Sequence, residues 1–169
     1  MGKDKRNPNA GLSLFEMVAV IAVIAIMIGI TTISISTVNR NEVFRTEEKL
    51  ESLINKARVT ALTKGTKNGS LYIANTAGAY YSYVGDASTF EGGASADNIK
   101  KYGDKLCSAK VNIVYGTDII GAGSVVKIGF KQSTGGLDGG ASTILVQDGR
   151  EKIKSATIRI YSETGKIYH

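Results

Sequence analysis

The stretch LSLFEMVAVIAVIAIMIGITTI, Leu12 to Ile33, decides how the rest of the chain is read. Within it only Ser13, Glu16, Gly29, Thr31 and Thr32 interrupt the apolar side chains, and Met17 to Ile30 carries no charge at all. As a helix rising about 1.5 Å per residue it measures about 33 Å, enough to cross a hydrocarbon layer of about 30 Å. The segment before it, MGKDKRNPNAG, is short and polar, with Lys3, Lys5 and Arg6 against Asp4. A basic leader stays on the cytoplasmic side, so the reading predicts a single-pass protein of the cytoplasmic (inner) membrane with its N-terminus inside and everything after Ile33 outside. A cleaved secretory signal is the competing reading, with Ser34-Ile35-Ser36 as a poor cleavage site. Glu16 argues against it, because a carboxylate inside an apolar segment costs about 2.5 to 3.5 kcal/mol at mid-membrane and is there for a function.

Outside this stretch the composition narrows the classes. The chain has 169 residues with 20 Gly, one Pro, no Trp, one Cys and one His. Its apolar share of 43% is enough for a packed core and excludes a disordered chain. Lone Cys107 excludes an intramolecular disulfide, and a lone His169 excludes both a Cys/His zinc cluster and a Ser/His/Asp triad. Gly121-Ala122-Gly123-Ser124 lacks the third glycine of a dinucleotide loop, and no Gly-Lys-Ser/Thr occurs. The loop carboxylates Asp86, Asp97, Asp138 and Asp148 show no calcium-loop spacing. No catalytic residue, cofactor or metal is expected, and the chain reads as a structural protein, not an enzyme.

The residues Gly11-Leu12-Ser13-Leu14-Phe15-Glu16, followed by MVAVIAVIAI, resemble the processing site of type IV prepilins and type II secretion pseudopilins. Leader charge, Gly, spacing to Glu and an uninterrupted apolar helix all have to agree for this match. The resemblance implies cleavage between Gly11 and Leu12 by a prepilin peptidase, N-methylation of Leu12, and retention of the apolar segment as the core of a helical filament. It implies as partners other pilin or pseudopilin subunits, an inner-membrane assembly platform and the cytoplasmic membrane. After cleavage the Leu12 amine is cationic near neutral pH, and Glu16 lies one turn along. Its carboxylate can pair with its own N-terminus or with a neighbour's, and the second choice makes Glu16 and Leu12 a register device for assembly.

Downstream, Val43, Leu50, Ile54, Ala57 and Ala61 recur on one helical face, with Glu42, Arg45, Glu47, Glu48, Lys49 and Glu51 on the rest. The spacing predicts an amphipathic helix ending at Gly65. Beyond it the period is two: a hairpin of Leu71–Ala74 with Ala79–Val84, an excursion from Gly85 to Asp104 with a short helix near Asp97–Tyr102, and strands at Lys110–Tyr115, Ser124–Lys131, Ser142–Gln147, Ala156–Tyr161 and Lys166–Tyr168. The last of these, with Gly165-Lys166-Ile167, is similar to the end of GspH/FimT-type minor pseudopilins.

The expected fold is α+β and pilin-like: a long N-terminal helix, transmembrane in one half and amphipathic in the other, packed on an antiparallel β-sheet head. Its divisions are a leader at 1–11, a transmembrane and filament-core helix at 12–33, a stalk helix at 34–65 and a β-rich head at 66–169. The expected function is a structural subunit of a type IV pilus, type II secretion or competence pseudopilus. The alternatives are a membrane-anchored extracellular binding protein that does not polymerise, and a DNA-binding competence pilin. The DNA reading rests on Lys127, Lys131, Arg150, Lys152, Lys154 and Arg159 and on a charge of +4 once 1–11 are removed, but no aromatic–basic interleave accompanies them.

Overall fold

The computed structural model describes residues 13–149 and 155–168, except the side chains of 29–41 and of Thr89. Helix α1 runs over Leu14–Lys64. It is followed by β1 (Leu71–Thr76), β2 (Ala79–Val84), a 3-10 turn (Ala87–Thr89), α2 (Ala96–Tyr102), β3 (Asp104–Ser108), β4 (Val111–Tyr115), β5 (Asp118–Ile119), β6 (Val125–Ile128), β7 (Thr143–Asp148), β8 (Ser155–Ile160) and β9 (Ile167–Tyr168). The strands make two antiparallel sheets, ordered β3-β2-β1-β6 and β5-β4-β7-β8-β9.

Two expectations are corrected here. Among the described residues no helix is long and apolar enough to cross a membrane. The apolar run whose side chains are described, Leu14 to Ile28, covers only about 22 Å at helical rise, against the roughly 30 Å of a hydrocarbon layer. This overturns the transmembrane half and, with it, the single-pass inner-membrane placement. The expected fold class of one long helix on one antiparallel sheet is overturned as well. The strands divide between two sheets, and the helical run is divided between two compact units, one up to Val38 and one from Asn39.

In the unit from Asn39, the stripe Val43, Leu50, Ile54, Ala57 and Ala61 is buried. It joins Leu71, Ile73, Tyr80, Ile113, Ile128, Phe130, Ile144, Val146, Ile158 and Ile160 in one core. α1 stops because Gly65, at φ +93, takes the left-handed conformation that closes the last turn, with its N–H donating to Ala61 O at 3.0 Å. The chain then doubles back so tightly that a Cβ on Gly69 would sit 2.3 Å from Ala61 Cα.

β1 is buried on both faces, and its period of two sorts the side chains. Leu71 and Ile73 enter the main core, while Tyr72 and Ala74 face a second cluster with Ala87 and Ile99 of α2. The β1–β2 hairpin closes on two residues, Ala77 at φ 51 and Gly78 at φ 73, the signature of a type I′ turn. α2 is capped by Ser95, whose hydroxyl accepts from Asn98 N. Tyr80 joins the two sheets: its buried hydroxyl donates to Ile120 O at 3.2 Å and accepts from Ile113 N at 3.4 Å.

Candidate functional site

The site begins at the start of α1. Ser13 N donates to Glu16 Oε2 at 2.8 Å, and Glu16 N donates to Ser13 Oγ at 3.3 Å. This reciprocal pair is a capping box, which satisfies two of the backbone donors that a helix start leaves open. The first helical bond, Met17 N to Ser13 O at 3.1 Å, follows directly. Sequence reasoning singled out Glu16 for its charge and missed Ser13 as its partner, although Ser-x-x-Glu ahead of an apolar run was the available signal. Gly11, Leu12, Lys3, Lys5 and Arg6 lie outside the described residues.

From this cap the helix presents apolar side chains in every direction. Every large apolar residue from Leu14 to Ile28 is exposed, from 84% at Leu14 to 49% at Ile24, the least accessible of them. An amphipathic helix hides its apolar residues along one stripe, whereas a helix apolar all round is built to be surrounded. So large an exposed apolar surface is unusual for a chain that stands alone in water.

In the unit from Asn39, α1 is tied to the sheets by side-chain hydrogen bonds. Ser108 donates to Glu42 Oε1 through its N at 3.1 Å and its Oγ at 2.5 Å, and Lys49 Nζ donates to Leu106 O at 3.3 Å. At the other end Arg58 Nε donates to Thr164 O at 2.7 Å. Next to that bond Gly165, at φ +66, approaches so closely that a Cβ would fall 1.9 Å from Gly135 O. Glycine in Gly165-Lys166-Ile167 is therefore required by packing against Gly135.

The other candidate groups do not converge. Asp86 caps the 3-10 turn by accepting from Ser88, hydrogen bonds that hold its carboxyl below the ordinary range. Asp97 stands in the first turn of α2. Asp148, expected in a solvated loop, is instead the buried last residue of β7. Among the described residues no group of three or more His, Cys, Asp or Glu is placed to hold a metal ion. Cys107 is buried, and burial pushes its thiol up to about 12, so it stays protonated and inert. Of the basic residues, Lys127 lies on β6 in the first sheet and Arg159 on β8 in the second. Arg150, Lys152, Lys154 and His169 are outside the described residues. Tyr80 on β2 is buried.

Comparison with known proteins yields no matching family model, curated protein or solved structure.

Proposed function

We propose that this chain is a structural subunit of a pilin-type filament, cut between Gly11 and Leu12 and assembled through the helical segment that follows. The observation that carries this reading is the exposure of the apolar residues on all sides of Leu14–Ile28. A bundle of like helices covers such a segment from every direction, whereas a single partner groove covers one face. Helices packed in this way gain about 25 cal/mol for each Å² of apolar surface removed from water. The Gly-Leu-Ser-Leu-Phe-Glu motif supports the same reading, because cleavage between Gly11 and Leu12 would leave a single residue, Leu12, ahead of the Ser13 cap.

The test is to co-express the full chain with a prepilin peptidase, measure the intact mass of its N-terminus, and image the product by electron microscopy. The expected result is a chain beginning at N-methylated Leu12 and recovered in filaments. Retention of Met1, cleavage elsewhere, or a processed chain that stays monomeric overturns the proposal.

A further inference from the structure

Among the described residues β3 is an edge strand of the first sheet, paired with β2 on one side only. Its backbone bonds show which way its groups point. Ala109 N donates to Gly78 O at 3.0 Å, on the side of the β1–β2 hairpin, so the alternate position, Ser108, turns its N–H away from β2. Leu106 is left opposite no residue of β2, because the register skips from Cys107–Tyr80 to Lys105–Tyr81. A donor at Ser108 and an acceptor at Leu106 are therefore what this edge has to offer another strand.

Both groups are taken. Glu42 Oε1 accepts from Ser108 N at 3.1 Å, and Lys49 Nζ donates to Leu106 O at 3.3 Å. An acid meets the donor and a base meets the acceptor, from residues seven apart and so two turns along one side of α1. The helix thereby supplies from side chains what a neighbouring strand would supply from backbone. Val43, Thr46 and Leu50 of the same turns are buried. Cys107 is buried against them, its thiol hydrogen-bonded to the side chain of Thr46.

We infer that Glu42 and Lys49 guard this edge, and that a chain in which they let go pairs its β3 with the β3 of a second copy, antiparallel about Cys107. The symmetry of the edge selects that partner. A two-fold axis at Cys107 sets each copy's Ser108 N opposite the other's Leu106 O, so the groups released by the guard satisfy each other reciprocally. The two Cys107 residues then stand opposite one another, about 4.5 Å apart between Cα atoms, within the span of a disulfide. The chain has a single cysteine, so a disulfide between chains joins two copies at this residue. The inference uses only the unit from Asn39 and stands whether or not residues 14–28 build a filament.

The test compares the parent full chain with Glu42→Ala, with Glu42→Ala combined with Lys49→Ala, and with two controls, all in detergent micelles that keep 14–28 from associating. Glu42→Gln keeps an acceptor for Ser108 N, and Arg58→Ala cuts the bond to Thr164 O at the other end of α1. Maleimide labelling of Cys107 reads the opening of the guard. Disulfide-linked dimer after brief treatment with copper phenanthroline, whose copper takes up the electrons, reads the pairing. Labelling is expected to be about tenfold faster in Glu42→Ala than in the parent, the size of one charge-assisted hydrogen bond, and faster again in the double variant. Dimer is expected to rise in the same order, while Glu42→Gln and Arg58→Ala stay near the parent. Hydrogen-exchange protection of the β1 amides equal to the parent's shows an intact fold; if the double variant loses it, Glu42→Ala alone decides. Labelling without dimer, dimer in the parent, equal dimer from Arg58→Ala, or no change in Glu42→Ala overturns the inference.

Discussion

Ser13 and Glu16 hold each other at the first turn of α1: each side chain accepts a hydrogen bond from the other's backbone N–H. Glu16 therefore has a local task that needs an acceptor oxygen, and in the assembly reading a second task that needs a charge. The two can be separated. Glu16→Gln keeps the acceptor and removes the charge, while Glu16→Ala removes both. Hydrogen exchange at the amides of 14–17 is expected to quicken in Glu16→Ala and in Ser13→Ala, by the equivalent of about 1 kcal/mol, and to stay near parent in Glu16→Gln. Filament yield is expected to fall in both Glu16 variants; normal yield from Glu16→Gln would confine the residue to capping.

From Met17 to Ile28 no side chain is charged and no face of the helix is set aside for one. Ile24→Arg is expected to leave the thermal unfolding of the unit from Asn39 unchanged while moving sedimentation toward the monomer. A fall in unfolding temperature equal to that of a core substitution would show that Ile24 is covered within the chain.

The hairpin turn is improvable, since Ala77 adopts φ 51 where a side chain with a Cβ is strained unless it is Asn or Asp. Ala77→Asn supplies the residue that type I′ turns favour. A gain of about 0.5–1 kcal/mol is expected from urea unfolding.

Glycine substitutions are expected to separate by neighbourhood. Gly139 and Gly165 both have positive φ, but a Cβ at Gly139 meets nothing within 4 Å and one at Gly165 meets Gly135 O at 1.9 Å. Gly139→Ala should cost about 1 kcal/mol of backbone strain, and Gly165→Ala at least about 3 kcal/mol, because backbone must move as well. Thermal melts of the two variants give the comparison.

Alkali is expected to unfold the sheets early. Burial raises the pKa of Cys107, to about 12 from an ordinary 9.0, and also those of Tyr80 and Tyr115. Each group is held neutral in the folded chain and ionises more readily once unfolded. Their contribution is complete below pH 9 and is lost as the pH climbs through the folded value of about 12 for Cys107. Urea midpoints from pH 7 to 11 should decline above pH 9, and Cys107→Ala should flatten the first part of the decline. Tyr80→Phe, which also removes the bond to Ile120 O, should cost about 1–2 kcal/mol at neutral pH.

Legibility of the fold followed the strength of local periodicity. The stripe from Val43 to Ala61 was readable because each member repeats on one helical face, and each is buried. The β1–β2 pair and α2 were readable from alternation and from turn residues. β3 and β5 were not: Asp-Lys-Leu-Cys-Ser has no clean alternation, and Asp118–Ile119 is two residues held by pairing with β4. The division into two sheets was hidden for a related reason. Strand order depends on which strands pair across long separations, as β1 does with β6, and no local pattern records that. At the site, Glu16 was legible as an anomaly in an apolar run, while its bond to Ser13 needed the capping rule.

The bonds from Glu42 to Ser108 and from Lys49 to Leu106 O give the unit from Asn39 a mechanical direction. A pull on α1 from its N-terminal side meets Glu42 first, then buried Val43 and Thr46, then Lys49 and Leu50. Such a load is taken up one attachment after another, like a seam opened from one end. The end of β3, where Ser108 stands, is the stitch at which that seam would start to give.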